Sequence, residues 1–276
     1  MPTKSVTQTK AAVEISAKRN YWGLIRELAV SDFKLKYQGS FFGYLWSLMK
    51  PLALFGVLYL IFGVLAKFSV GLDHYPLYLL IGVVLWNYFA ESTSNGMRAI
   101  VDKGDLIRKV YFPRIVIVLA ASISALITLV LNLVIVAVFM VLSHISIHLS
   151  VWLFIPLIIE LYLLSLGVSF FLAALFVKYR DFAYIWEVGS QMLFYASAII
   201  FPMNIVPAAY RKFLLINPVS QIIQDSRRVL STPQTIIASE VIHSAAVFLP
   251  YLIPPILAIL GYIYFERSAS RFAEDV

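Results

Sequence analysis

Three carboxylates and one ammonium stand in apolar surroundings. Glu91, Glu160 and Glu187 each lie within a long apolar run, and Lys50 opens another, directly before Pro51. A charged side chain at the centre of a bilayer costs about 2.5–3.5 kcal/mol on insertion scales. Such residues therefore line a polar cavity, pair with an opposite charge, or move protons and ions. A proton relay needs a connected series, and these glutamates belong to three separate segments. Lining a cavity, or pairing with a cation on a neighbouring helix, is the simpler reading. Lys50 lies about two turns inside its segment, near enough for its stem to reach back to the headgroups. Its other reading is a cation at the mouth of a path, where it would meet an anionic group.

No other constellation supports catalysis. His144 and His148 have i, i+4 spacing, yet no carboxylate stands near them in the chain, and solvated loop histidines explain the pair. The phosphate-cradling pattern GxxxxGK[ST] is absent, so ATP hydrolysis by that route is excluded. "GVS" at 167–169 lacks the second glycine of a nucleophile elbow. With no cysteine, there is no disulfide framework and no thiolate metal site. The residues do not point to an enzyme.

The elements that must hold these residues follow from composition. The chain has 276 residues, 61% apolar and 13% charged, against about 25% charged in a soluble domain. Its mean hydropathy is +0.85. The expected class is an all-α integral membrane protein with six spans, at about 43–66, 75–96, within 115–143, 150–177, 182–201 and 243–265. Pro51 is expected to bend the first span, and Pro250, Pro254 and Pro255 the last. With the N-terminus inside, seventeen of the 22 Lys and Arg fall in cytoplasmic segments, which predicts that both termini are cytoplasmic. That placement accounts for the net charge of +7 without a nucleic-acid partner. The first 40 residues are polar and charged where a secretory signal would be apolar.

Three segments lie outside the spans. Residues 20–37 show helical periodicity, with Trp22, Ile25, Leu28, Ala29 and Phe33 near one stripe. This suits a helix lying in the headgroup region, or one packed on protein. Residues 202–240 are apolar and broken by Pro202, Pro207, Pro218 and Pro233. Their two short helical stretches, "AYRKFLLI" and "VSQIIQDSRRVL", suit re-entrant helices dipping into the bundle from outside, or a cap on the outer surface. The basic loop 98–114 carries Leu106, Ile107, Val110 and Phe112 among its charges, which suits a short helix offered to a soluble partner. The resulting plan is a cytoplasmic tail at 1–19, an interfacial helix at 20–40, a six-span unit at 41–266 and a second tail at 267–276. Aromatics are abundant. Trp46, Trp86, Trp152 and Trp186 fall near span ends, where a bilayer belt would place them; rings such as those of "WNYF" (86–89) would equally suit a wide path for sugars.

Four motifs in order carry a resemblance. They are "DFKLKYQGSFFGYLWSLMKPL" (32–52), "GDLIRKVYFPRIVIVLA" (104–120), "KYRDFAYI" (178–185) and "NPVSQIIQDSRRVL" (217–230). Together the chain resembles the permease subunit of type-2 ABC exporters. The resemblance is to the branch that exports lipid-linked polysaccharides such as O-antigen, capsule and teichoic acid. The resemblance implies a homodimer of six-span subunits in a bacterial or archaeal plasma membrane, above two cytoplasmic ABC ATPase subunits that bind ATP and Mg. It implies a channel between the permeases for an undecaprenyl-diphosphate-linked glycan. By position, Lys103, Gly104, Asp105, Leu106, Ile107, Arg108 and Lys109 would contact the ATPase. Tyr37, Trp46, Lys50, Trp86, Glu160 and Glu187 are the channel candidates. Asn217, Pro218, Arg227 and Arg228 belong to the implied outer gate. Two departures bear on the substrate branch: "ASAII" (196–200) stands where the family often has a proline, and Val118 stands where another is common. An exporter of drugs or small lipids is the alternative, and a membrane-embedded glycan-modifying enzyme a more distant one.

Overall fold

A computed structural model describes residues 21–68, 74–110, 112–145, 149–269 and 272. The tail at 1–19, most of that at 267–276, and His148 lie outside the described residues. Regular structure among the described residues is entirely helical. In chain order the helices are α1 (Tyr21–Tyr37), α2 (Leu45–Leu58), α3 (Tyr75–Asp102), α4 (Gly104–Lys109), α5 (Ile115–Leu142), α6 (Phe154–Lys178), α7 (Phe182–Ala196), α8 (Ala208–Ile216), α9 (Pro218–Leu230), α10 (Ala238–Val241) and α11 (Leu249–Ala269). α2 runs through Pro51 and passes into a π-helical stretch, Tyr59–Leu65.

Among the described residues, four helical stretches are long and apolar enough to cross a membrane: Leu45–Leu65, Ile115–Leu142, Val151–Lys178 and Ala245–Ala269. Two of the expected spans are not among them, for different reasons. α3 has 28 residues, but its second half carries Glu91, Ser92, Thr93, Ser94 and Asn95. Most of α3 is buried by protein, chiefly α5 and α6, so its surface need not be apolar all round. α7 has 15 residues, about 22 Å of helix against a hydrocarbon core of about 30 Å. It ends at Ala196, well short of residue 201.

α6 and α11 pack closely because glycines face each other. A Cβ on Gly167 would stand 2.6 Å from the Leu257 carbonyl carbon, and Gly261 meets Gly167 from the other side. Small residues at such a crossing let two backbones approach and gain dispersion contacts along their length. α11 continues as one helix through Pro254 and Pro255.

α1 packs on α5, burying Ile25 and Ala29, while Trp22 on the same predicted stripe is 71% exposed. Phe33 stacks on Tyr44 across the turn into α2, with ring centroids 5.3 Å apart. α1 thus has both a protein-packed side and an exposed aromatic. The two short helices expected in 202–240 form as α8 and α9, and they differ in burial. α8 buries only Leu215, whereas α9 buries nine of its residues against α6 and α3.

Candidate functional site

Two groups of polar residues sit along α3, one in each half. In the half toward α4, Lys36 of α1 donates to Glu91 Oε1 of α3 at 2.6 Å, and Thr128 Oγ1 of α5 donates to the same oxygen at 3.2 Å. Glu91 therefore has a cation on a neighbouring helix. Asn132 Nδ2 donates to the carbonyls of Thr128 (2.8 Å) and Ser47 (3.3 Å), tying α5 to α2. These groups border a cavity of about 410 Å³, which Trp46, Lys50 and Pro51 of α2 also line. Asn87 Nδ2, Tyr88 OH and Asn132 Oδ1 are buried without a hydrogen-bond partner. The wall thus holds the Lys36–Glu91 pair, the Lys50 ammonium and, on Asn87, a spare amide donor. That set suits water and an anionic group in preference to apolar matter.

The same half leads into α4. Lys103 Nζ donates to Asp32 Oδ2 of α1 at 2.7 Å, fastening the start of α4 to the α1 helix. Gly104 is buried and Leu106 and Ile107 are half-buried among the apolar residues of α1, α5, α6 and α11, while Asp105, Arg108 and Lys109 are exposed. The periodicity of "GDLIRK" sorts apolar from charged side chains as an amphipathic turn should.

The other half holds Arg227 of α9, which is wholly buried. Its Nε donates to Tyr78 O at 2.8 Å, Nη1 to Ala198 O at 2.9 Å and Nη2 to Ile199 O at 2.5 Å. The guanidinium carbon stands 3.6 Å from the centroid of the Tyr78 ring. Gly82, one turn along α3, leaves room for the guanidinium; any Cβ there would collide with it. Asn217 accepts from Val219 N at 3.0 Å, capping α9, and its amide donates to Ser197 Oγ at 3.0 Å. Pro218 takes the first helical position, where no N–H is required. Both ends of α9 are therefore fastened to the turn that follows α7. Arg228 faces the other way and pairs with Glu240.

The remaining candidates are dispersed. Trp86 is buried, packed on Phe89 and Phe194. Trp46 is 45% exposed beside Phe42. Glu187 is exposed on α7, a helix without one buried residue. The Tyr37 side chain lies outside the described residues. Glu160 sits between α6 and α9, beside Gln221 and Asp225. Sequence reasoning missed Tyr75, Tyr78, Gln221, Gln224, Asp225 and Tyr251. Tyr75 OH donates to Ile200 O at 2.8 Å and Tyr78 OH to Gln224 Oε1 at 3.1 Å. The strong amphipathicity of 218–230, with glutamines and an arginine on its buried side, was the available signal.

Residues 24–230 match the model of the ABC-2 type transporter family, and the chain belongs to that family. It is a transport component and a multi-pass plasma-membrane protein. Among curated relatives it is 27% identical over 244 residues to an O-antigen export system permease protein RfbA of Klebsiella pneumoniae, covering 88% of this chain and 91% of that one. It is 26% identical over 258 residues to the O-antigen export system permease protein RfbA of Myxococcus xanthus, covering 93% and 96%.

Proposed function

We propose that this chain is the permease subunit of an ATP-driven exporter. In this reading it moves an undecaprenyl-diphosphate-linked polysaccharide outward through a channel between two copies of itself. Near full-length similarity to proteins named as O-antigen export permeases supports the cargo class. α4 carries the reading: its apolar residues are held in the bundle and Asp105, Arg108 and Lys109 are exposed. That is the form of a docking element for a soluble subunit, and residues 103–109 would meet a separate ABC ATPase that binds ATP and Mg.

The topology that fits has six spans, with α3 and α7 as the second and fifth, and both termini cytoplasmic. α3 then crosses inside protein. α7 crosses with help from the segment behind it, with α8 and α9 re-entering from the outer side. The apolar exposed faces of α2 and α7 suit a second copy; on α7 they include Tyr184, Val188 and Met192. Glu187 and Trp46 would then face the dimer axis, and Lys50 with its cavity would meet the substrate diphosphate at the inner mouth. Asn217, Pro218, Arg227 and Arg228 would hold the outer gate.

Two measurements together test this. The chain should co-purify with an ABC ATPase of its host, and replacing 103–109 by a Gly-Ser linker should abolish that association. Deleting the gene should leave glycan inside the cell. Normal surface glycan on deletion sinks the reading. If drug sensitivity rises at the same time, a small-molecule exporter takes its place.

A further inference from the structure

Near α9, a second cavity of about 580 Å³ opens between α6, α9 and α11. Its wall is mostly apolar, with Leu153, Pro156, Leu157, Val229 and Ile237, but Glu160, Asp225 and Arg228 also line it. Leu153 is 59% exposed, so the mouth lies on an apolar face.

Hydrogen bonding at the charged part of this cavity is unbalanced. Gln221 Nε2 donates to Asp225 Oδ2 at 2.7 Å, and Tyr251 OH donates to the same oxygen at 2.8 Å. This leaves Glu160 Oε1, Asp225 Oδ1 and Gln221 Oε1 buried without a partner. All three are acceptors, two of them carboxylate oxygens, and Gln221 is wholly buried. A buried acceptor without a donor is costly, and more so when it is charged. A carboxyl proton would satisfy one of the three. A primary ammonium brings three N–H donors and a positive charge.

The rest of the cavity indicates what carries the ammonium. Arg228 lies along the same wall; its Nη1 pairs with Glu240 and donates to Thr235 O. A guanidinium beside the carboxylates suits a phosphate next to the ammonium. The apolar wall suits a hydrocarbon chain. We propose that this cavity binds an aminophospholipid of the outer leaflet, with its ammonium on Glu160 and Asp225, its phosphate on Arg228 and an acyl chain against Leu157 and Val229. The leaflet assignment rests on the orientation given above. The bound lipid bridges α6, α9 and α11, and so braces the helix that carries Arg227.

The test uses the purified full chain with its ATPase, in detergent doped with one phospholipid at a time and read by native mass spectrometry. Phosphatidylethanolamine should be retained about tenfold more than phosphatidylcholine, whose trimethylated nitrogen has no N–H to donate, and more than phosphatidylglycerol. Glu160→Gln with Asp225→Asn should erase that preference. Equal retention of the three lipids by the unaltered protein overturns the proposal and assigns the acceptors to a shared carboxyl proton. A preference that survives the double substitution also overturns it. Should the double variant fail to fold, the contrast between lipids on the unaltered protein still decides. Lipid retention needs no transport, so a protein that keeps the preference yet exports no glycan refutes the proposed function and leaves this site standing.

Discussion

The two halves of α3 are held by opposite means. Toward α4, the contacts are ion pairs between separate helices, Lys36 with Glu91 and Lys103 with Asp32, all with part of their side chains accessible. Accessible pairs contribute about 0–1 kcal/mol each, because water solvates either partner almost as well. Toward α9, one wholly buried guanidinium is surrounded by three backbone carbonyls and a tyrosine ring. Those carbonyls have no water to replace their donor. The difference separates a soft half, where helices can shift by exchanging partners, from a locked half, where a shift strands buried polar groups. In the proposed function, where α4 meets a cytoplasmic ATPase and α9 belongs to the outer gate, the compliant part lies next to the motor and the closed arrangement at the gate is the well-defined one.

Substitutions can break this comparison. The largest effect is expected at Arg227. Arg227→Met leaves the carbonyls of Tyr78, Ala198 and Ile199 without their donors, and should lower stability by about 3 kcal/mol or more. Thermal unfolding of the purified protein checks this, and a loss under about 1 kcal/mol would show that the half toward α9 is not locked. Next comes the crossing of α6 and α11. Gly261→Leu must push the Gly167 backbone away and should cost about 1–3 kcal/mol, read in the same assay. Lys50→Leu should leave insertion and thermal stability unchanged but reduce glycan export several-fold, measured as surface polysaccharide in a deletion background. Normal export would return Lys50 to reaching for headgroups. The smallest effect is expected for Lys103→Met, which removes the contact with Asp32 at a cost of about 1 kcal/mol or less. A loss as large as that of Arg227→Met would erase the distinction between the two halves.

Much of the outline was legible in the primary structure. The apolar runs, the breaks at 202–240 and the amphipathic pattern of 98–114 reappear as α2, α5, α6, α11, α8, α9 and α4. The reading of Glu91 as a carboxylate paired across helices also matches the structure. Less of the polar detail was legible. Arg227 and Arg228 are neighbours in sequence, yet one is buried and the other half-exposed beside Glu240. Nothing local distinguishes them, because adjacent residues on a helix point about 100° apart and only the surroundings decide which side is inside. Trp22 likewise shares a stripe with Ile25 and remains exposed.

What the sequence by itself determined is the solvent and the segmentation. Hydrophobic content and periodicity act over about twenty residues, and they require helices that satisfy their own backbones in lipid. What only the tertiary structure decided is which polar groups meet. Tyr78 and Arg227 lie 149 positions apart, and Lys36 and Glu91 lie 55 apart. Such pairs form only when several helices have packed. Glycines such as Gly82 and Gly167 show why: each is a gap whose use depends on the element that arrives to fill it.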